Sequence, residues 1–554
     1  MLNQLRVRAT DSLDKVFLDQ PPRNEFASAT MLRNECFSFQ LAYTAEEGWL
    51  PNAARICLKV ESDLAPWISI YQVGHIASTL PTYPRVDDDY ERSAPGLYPD
   101  RLDRLRDPFE VKLLLNRWQS LWIQVENPAG LPPGRHTIAF SWLSGQDETL
   151  QLARTEVSLT VLDATLPDQS LIYTNWFHAD CLASIYRCDA LSEEHWRIMG
   201  DFIEVAARFG INMMLTPCFT PPLDTAVGAE RMTVQLVTVH KLQDRYAFDF
   251  SQLDRWIRLC QDKGIRYFEH SHLFTQWGAY HAPKIMAVEN NEEKQIFGWD
   301  TDASGPDYTE FLHQYLTALR THLQELQVYD RFYFHISDEP VEKHQDSYAR
   351  ARQIFRDILP EKNVFDALSH VAFYDKGLVD IPVPVTCTIE DFRGKVPELW
   401  TYYTGFQSFM YSNRLISMAS RRNRILGTQL FAYDVKGFLQ WAFNFYYTTL
   451  SREVCNPYQS SDAFGEFPSG TAYMVYPGPD GPVLSIRLFT FNDGLQDMRA
   501  MQLLSSLIGR EETMALIQAH IGTVDFTHAP HSDAVLLGLR EAINRKIAAC
   551  LEKE

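Results

Sequence analysis

The part of the sequence best suited to chemistry is a pair of adjacent carboxylates, Asp338 and Glu339. They follow the apolar run 332–336, whose aromatic and β-branched side chains favour a buried strand. Pro340 comes next, and because proline cannot donate to a strand ladder, we expect the strand to stop there. Ligands of α/β proteins bind at the carboxyl ends of strands. The sequence therefore predicts a strand that ends in an acidic site.

Of two carboxyl groups at one strand end, one can stay protonated while the other is ionised. Neighbours on a regular strand point to opposite faces, so Asp338 and Glu339 share a site only where the strand becomes irregular. Close carboxylates push their pKa values apart, and glycoside hydrolysis uses such a division between a protonated and an ionised group. A short tripeptide such as Asp-Glu-Pro also fits a solvated loop, and that alternative stays open on the tripeptide alone.

The N-terminal part, up to about residue 165, has the pattern of a β domain. Apolar and polar residues alternate in runs separated by Pro- and Gly-rich turns, which is typical of a two-sheet sandwich. The charged, Pro-rich stretch 85–107 is predicted as a long loop. The runs that we predict as strands are 37–43, 122–126, 136–142 and 155–162.

From about residue 168, predicted strands alternate with predicted helices. Roughly eight such units over some 300 residues indicate a (β/α)8 barrel. The fold class we expect is multidomain α/β, with an N-terminal β-sandwich at 1–165, a (β/α)8 TIM-type catalytic barrel at 166–508, and a short C-terminal helical segment at 509–554. The predicted helices include 193–209, 250–263, 307–327 and 341–359, and helical pattern runs from 495 to the end.

Aromatic and polar residues recur at the predicted strand ends. Rings that stack on sugar faces and side chains that bind hydroxyls suit carbohydrate recognition, although core packing is the alternative for any single aromatic residue. The spacing His270-Ser-His272 also fits a metal site, but it is a weak signal, and we expect these histidines to hydrogen-bond instead. The predicted substrate-binding residues are Trp176, His270, His272, Trp277, His335, Asp366, Trp400, Tyr402, Tyr403, Trp441 and Asn444.

Composition excludes several classes of partner. The 554 residues carry a net charge of −20, which argues against nucleic acid or anionic membranes as partners. No run resembles a signal peptide or a membrane span, and the nine cysteines form neither a disulfide framework nor a metal motif. We therefore expect a cytoplasmic protein with reduced thiols that inserts into no membrane. Phosphate-loop and dinucleotide fingerprints are missing, so we expect no cofactor, and we predict no metal.

Several motifs in order resemble glycoside hydrolase family 123, the β-N-acetylgalactosaminidases, and its wider relatives. The resemblance covers most of the chain. It implies a retaining mechanism in which the 2-acetamido group of the substrate attacks the anomeric carbon. The motifs are Asn34-Glu-Cys-Phe-Ser-Phe-Gln40, Ser337-Asp-Glu-Pro340, Trp400-Thr-Tyr402, Gly437-Phe-Leu-Gln-Trp-Ala-Phe-Asn444, Tyr476-Pro-Gly478 and Ser485-Ile-Arg-Leu-Phe-Thr-Phe-Asn-Asp-Gly494.

The resemblance also implies a role for each residue of the pair. Asp338 orients the acetamido N–H and stabilises the developing positive charge, and Glu339 protonates the leaving oxygen and then activates water. Tyr402 or Tyr403 is expected on the acetamido carbonyl, and Trp441 under the sugar. The implied partner is a carbohydrate with a β-linked N-acetylhexosamine. A glycosidase on a non-acetamido sugar and a non-catalytic carbohydrate-binding barrel remain alternatives.

Overall fold

A computed structural model describes residues 5–45, 56–145, 149–243 and 245–552. Two compact units make up the chain, and neither is continuous in sequence. The first unit comprises Met1–Gln169, Ser408–Tyr433 and Val483–Glu554; the second comprises Ser170–Gln407 and Asp434–Pro482. The functional domain limits proposed from the sequence, at 165/166 and 508/509, stay a prediction.

The first unit contains two sheets that share one core. Strands Cys36–Ala45 and Gly134–Ser144 lie in different sheets, and their alternate side chains meet: Phe39 and Phe140 belong to the same buried cluster. One sheet contains, as neighbours, Leu5–Asp11, Cys36–Ala45, Gln119–Glu126, Ile68–Ser78 and Gly96–Arg104. The other contains Ser28–Met31, Gln151–Val161, Gly134–Ser144, Ile56–Glu61 and Phe109–Val111.

The prediction of a loop over 85–107 is wrong in its second half, where Gly96–Arg104 is a strand paired with Ile68–Ser78. Pro99 and the charged side chains hid this strand from the sequence pattern. The register shifts between Gly74 and His75, and this irregularity accommodates a proline, which has no N–H to donate. Buried Asp100 accepts two hydrogen bonds from Arg487, at 2.9 and 3.1 Å, which compensates its burial.

The helices of the first unit come from two separate parts of the chain. Ile486–Ile508 begins earlier than the helical pattern we read from residue 495, because Ser485 caps it by accepting the Leu488 N–H at 3.2 Å. The apolar residues after Ser485 obscured this start. The helices are Ser420–Arg424, Leu426–Ala432, Ile486–Ile508, Arg510–Ile521 and Asp533–Leu551.

The second unit has a parallel sheet at its centre. Its six strands, in order across the sheet, are Phe332–Tyr333, Tyr267–His270, Met213–Thr216, Ile172–Asn175, Gly437–Gln440 and Trp400–Tyr402. A separate parallel pair joins Phe365–Ala367 to Ile381–Val383. Single parallel bridges, Phe334 to Val364 and Val385 to Tyr402, connect the pair to the larger sheet. These eight strands thus form two sheets, and the predicted closed (β/α)8 barrel is not confirmed.

Strand–helix alternation is regular only in the first half of this unit. The predicted helices 193–209, 250–263 and 307–327 are confirmed to within two residues, and the first ends before Gly210 with φ +89°. The predicted helix 341–359 begins only at Gln345, after the 3-10 turn Glu342–His344. Between Ile381–Val383 and Trp400–Tyr402 the described residues contain the 3-10 helix Thr386–Asp391 in place of an α-helix, so the strand–helix alternation is interrupted there. The helices are Ala179–Tyr186, Glu193–Arg208, Ser251–Asp262, Pro306–Glu325, Gln345–Ile358 and Ala372–Asp375.

An additional four-stranded sheet lies within the second unit. Its strands are Arg245–Asp249, Thr238–Leu242, Ile285–Glu289 and Glu292–Phe297, in that order. The last two form an antiparallel hairpin between strand Tyr267–His270 and helix Pro306–Glu325. Through the whole described part of the chain, no helix combines the length and the apolar character that crossing a bilayer requires.

Candidate active site

The backbone at Asp338 and Glu339 leaves the strand conformation abruptly. Regular pairing ends at Tyr333, and Glu339 has φ +44°, a left-handed conformation that few non-glycine residues adopt. Two backbone bonds hold this turn: the Glu339 N–H donates to the Ala367 carbonyl at 3.0 Å, and the Trp277 N–H donates to the Asp338 carbonyl at 2.9 Å. The alternation of a regular strand is therefore broken where both carboxylates occur.

The protein environment raises the pKa values of both carboxyl groups. Burial raises the pKa of Asp338 well above its usual value, and the charge of Glu339 raises it further. Burial also raises the pKa of Glu339, while the Tyr402 phenol opposes that shift by donating to Oε1 at 2.5 Å. Both side chains keep partial access to solvent. Because the two charges repel, the pair is suited to hold one proton near neutral pH.

A fully buried ion cluster lies beside the pair, with His335 at its centre. His335 Nε2 donates to Glu269 Oε2 at 2.9 Å, and Nδ1 donates to Asp366 Oδ1 at 3.0 Å. Burial alone lowers the pKa of the imidazole, but the two carboxylates outweigh burial and raise the pKa to about 9. His335 is therefore an imidazolium at neutral pH, and its positive charge lowers the pKa of nearby Asp338.

Asp366 links this cluster to the backbone that precedes the pair. Its Oδ2 accepts the Ile336 N–H at 3.1 Å and the Tyr348 hydroxyl at 2.5 Å. Glu269 is held on the other side, where its carboxylate accepts the indole N–H of Trp176 at 3.2 Å. These bonds fix the chain two residues before Asp338, so we infer that the cluster positions the carboxylate pair.

The ring of His272 stacks on that of His335, with centroids 4.1 Å apart and planes 14° from parallel. Burial lowers the pKa of His272 far below its usual value, so it is neutral. His272, His335 and Asp366 are the one group among the described residues whose ligand atoms lie within 4.8 Å of one another. Parallel rings do not aim their lone pairs at one point, and both His335 nitrogens are already bonded, so the geometry does not favour a metal.

Sequence comparison assigns most of this second unit. Residues 176–504, which include the carboxylate pair and the ion cluster, match the family model described as the glycoside hydrolase 123 catalytic domain. The chain belongs to glycoside hydrolase family 123. It is therefore a glycoside hydrolase, and its substrate is a carbohydrate.

Solved structures resemble this glycoside hydrolase to different degrees. A family 123 glycoside hydrolase from Clostridium perfringens, described for glycolipid glycan hydrolysis, covers 100% of this chain over 98% of its own length, with a TM-score of 0.72 and 13% identity. A β-galactosidase from Bacillus circulans sp. alkalophilus covers 61% of this chain over 56% of its own, with a TM-score of 0.34 and 10% identity. At these identities the first likeness shows the fold alone, and the second carries no argument. No curated protein matches the sequence.

The predicted site residues of this glycoside hydrolase fall into two groups. Contacts connect Asp338, Glu339, Tyr402, Trp277, His335, Asp366, His272 and Trp176 as described above. Five predicted residues remain. One of them, Trp441, is partly exposed and packs on Phe445 and Phe467.

Four predicted residues make contacts elsewhere in the fold. His270 bonds Tyr315 of helix Pro306–Glu325 at 2.7 Å, and burial lowers its pKa to about 4. Asn444 bonds the backbone N–H and carbonyl of His178, at 2.9 and 3.1 Å. Trp400 is buried against Phe365, and Tyr403 is buried against Phe438. A role for these four side chains in sugar binding stays a prediction.

Two carboxylates of the site were absent from the predicted set. Glu269 precedes His270 in strand Tyr267–His270. Because side chains alternate along a strand, Glu269 and His270 lie on opposite faces of the sheet, and the prediction named only His270. The alternation of the strand was the signal that could have found Glu269. Asp224 lies in a loop after two prolines, and its charge raises the pKa of Asp338. No pattern in the sequence singles it out.

Proposed function

We propose that this family 123 glycoside hydrolase is a retaining β-N-acetylgalactosaminidase-like enzyme in which the 2-acetamido group of the substrate is the nucleophile. The observation that carries the proposal is the adjacent Asp338–Glu339 pair, in which burial raises both pKa values. In the two-carboxylate scheme, the acid and the nucleophile flank the scissile bond. Consecutive residues at one strand end are better suited to serve the acetamido group and the leaving oxygen, which lie on neighbouring positions of the sugar.

The roles proposed for the two carboxylates are those that the family resemblance implies. Burial and the charge of Glu339 raise the pKa of Asp338, the positive charge of His335 opposes that rise, and an acetamido N–H donated by the substrate would stabilise the ionised form of Asp338 further. With Asp338 ionised, mutual repulsion favours a proton on Glu339. Ionised Asp338 is suited to accept the acetamido N–H and to stabilise the positive charge of an oxazolinium-like intermediate. Protonated Glu339 donates its proton to the leaving oxygen and, as the resulting carboxylate, takes a proton from the attacking water.

The aromatic residues around the pair suit a sugar subsite. Trp277 is 42% exposed, and its backbone N–H bonds the Asp338 carbonyl. Tyr402 bonds Glu339, and we assign its phenol to the acetamido carbonyl of the substrate as part of the proposal. Trp441 remains a candidate for the face under the sugar ring. The natural substrate we propose is a glycan or glycoconjugate with a β-linked N-acetylhexosamine, and the cytoplasmic location expected from the sequence stays a prediction.

Hydrolysis of four p-nitrophenyl β-glycosides tests the proposal: the N-acetylgalactosaminide, the N-acetylglucosaminide, the galactoside and the glucoside. Release from the acetamido sugars alone, abolished in Glu339→Gln, is the expected result. Release from the plain galactoside or glucoside would discard the acetamido mechanism and favour a glycosidase on another sugar. Binding without turnover of any glycoside would contradict the assignment of roles to the pair.

A further inference from the structure

A third carboxylate, that of Asp224, lies close to the catalytic pair without taking part in the proposed chemistry. The loop that carries it follows strand Met213–Thr216 and contains Pro221 and Pro222. The charge of Asp224 raises the pKa of Asp338, which places the two carboxylates in electrostatic reach of each other. Asp224 is partly buried, and its own pKa is raised to about 6 by that burial. It is therefore mostly ionised at neutral pH.

Two other chain segments hold Asp224 in place. Its N–H donates to the Gln276 side-chain oxygen at 2.5 Å, and its carbonyl accepts the Ser451 hydroxyl at 2.7 Å. Its Oδ2 accepts the Leu450 N–H at 3.1 Å. Gln276 directly precedes Trp277, whose N–H bonds the Asp338 carbonyl. The position of Asp224 is thus connected through one short segment to the position of the catalytic pair.

The backbone conformation at this junction is unusual. Asp224 has φ +40°, Trp277 has φ +58°, Leu450 has φ +59° and Ser451 has φ +53°. Non-glycine residues in the left-handed region are uncommon, and where the surrounding structure holds several together they concentrate at functional sites. A loop with no function beyond connection would relieve this strain by having glycine at such positions. Because Asp224 keeps its side chain at such a position, we infer that this side chain has a function.

The two oxygens of the Asp224 carboxylate differ in their hydrogen bonding within the described part of the chain. Oδ2 is occupied by Leu450, whereas no group of the described residues donates a hydrogen bond to Oδ1. We propose that Asp224 binds a hydroxyl group of the substrate sugar through Oδ1 and contributes to the choice of sugar. This inference rests on the proposed location of the active site at Asp338 and Glu339. It does not depend on the acetamido mechanism, because any sugar bound there presents hydroxyls.

The test removes the Asp224 carboxylate and each substrate hydroxyl, singly and together, and measures whether the two effects on kcat/KM are coupled. The kcat/KM is measured for the aryl β-glycoside that the wild type hydrolyses and for analogues that each lack one ring hydroxyl or the 6-hydroxyl. Asp224→Asn keeps an acceptor for Leu450 and tolerates positive φ, and Asp224→Gly removes the side chain while relieving the backbone. Asp434→Asn is the matched control, since Asp434 also has positive φ (55°) but is 66% exposed and pairs with Lys436.

The expected result is a coupling between Asp224 and one hydroxyl. In the wild type, removal of that hydroxyl lowers kcat/KM by about 10- to 100-fold, the range for a hydrogen bond to a charged group. In Asp224→Gly this loss disappears, in Asp224→Asn it shrinks, and in the Asp434→Asn control it is unchanged. Equal losses for every analogue in all four proteins overturn the inference, since a structural role would lower all rates alike. Failure of the acetamido mechanism shows separately, as wild-type turnover of a plain glycoside.

Discussion

The phenol of Tyr402 donates a 2.5 Å hydrogen bond to Oε1 of Glu339, and this contact connects two elements of the site. Tyr402 ends the short strand Trp400–Tyr402, whereas Glu339 lies in the turn after Phe332–Tyr333. The bond stabilises the ionised form of Glu339 and so lowers its pKa, against the upward shift caused by burial. The proton affinity of the proposed acid is thus set by burial and one phenol.

Substitution of Tyr402 should therefore move the pH dependence of turnover. Without the phenol in Tyr402→Phe, the pKa of Glu339 rises, so the acid stays protonated to higher pH. We expect the basic limb of the kcat/KM profile, which reports the acid in the free enzyme, to shift to higher pH. The partly exposed Tyr374, whose phenol donates to the Lys395 carbonyl, provides the control Tyr374→Phe. A basic limb at the same pH in Tyr402→Phe and wild type would show that the limb belongs to another group.

Neutral replacements of the pair should separate activity from stability. Glu339→Gln and Asp338→Asn each lower turnover by about 100-fold or more, because acid–base catalysis contributes on that scale. Since folding raises both pKa values, the ionised forms lower stability at pH 7, and removing the charge keeps or raises the unfolding temperature. Kinetics and thermal unfolding on the same preparations check both halves. Active variants, or variants with a lower unfolding temperature, would count against the account.

Because of His335, the stability of the folded protein should fall as the pH rises from 6.5 to about 9. Its pKa is raised from 6.5 to about 9 in the fold, so its stabilising contribution is complete below pH 6.5 and is lost as the pH rises to about 9. The loss amounts to at most about 3 kcal/mol. Urea denaturation across this range measures it. In His335→Asn the dependence flattens, and two buried carboxylates without their cation lower the stability by about 3–5 kcal/mol.

The exposed His370→Asn is the control for this series, since its ring is 41% exposed. It should retain the wild-type dependence on pH. A wild-type stability that stays constant between pH 6.5 and 9 would mean that His335 is neutral in the folded protein, contrary to the ion cluster described above.

Gly437 tests the packing of the parallel sheet. A Cβ atom at this position would lie 2.0 Å from the ring of Trp400, on the neighbouring strand. Gly437→Ala should therefore lower the free energy of unfolding by about 2 kcal/mol or more. Gly538 of helix Asp533–Leu551 has no atom within 4 Å of the same added group, so Gly538→Ala should raise stability by about 0.5–1 kcal/mol. Equal effects of the two changes would contradict the packing at Trp400.

Helices and strands that are marked by signals within their own sequence were predicted correctly. The helix Glu193–Arg208 has an apolar face, a serine cap and a following glycine, and it was found to within two residues. Strand Cys36–Ala45 alternates cleanly and was found as well. The strand Gly96–Arg104 was missed because its proline is accommodated by an irregularity in a partner distant in sequence.

Prediction of the candidate site depends on the same kind of local signal. Asp338 and Glu339 are marked by a strand that ends at proline, a signal within a few residues. Glu269 and Asp224 acquire their places through the neighbours that tertiary structure supplies, His335 for one and Leu450 for the other. A sequence contains those neighbours without showing that they meet.

Rate measurements on aryl β-glycosides whose 2-acetamido group carries none, one, two or three fluorine atoms test the central claim most directly. Fluorine withdraws electrons from the acetamido oxygen and makes it a weaker nucleophile, while the aryl leaving group stays the same throughout the series. If that oxygen is the nucleophile, kcat/KM falls steeply with each fluorine added. A rate that is independent of fluorination would contradict substrate assistance and require a nucleophile from the protein.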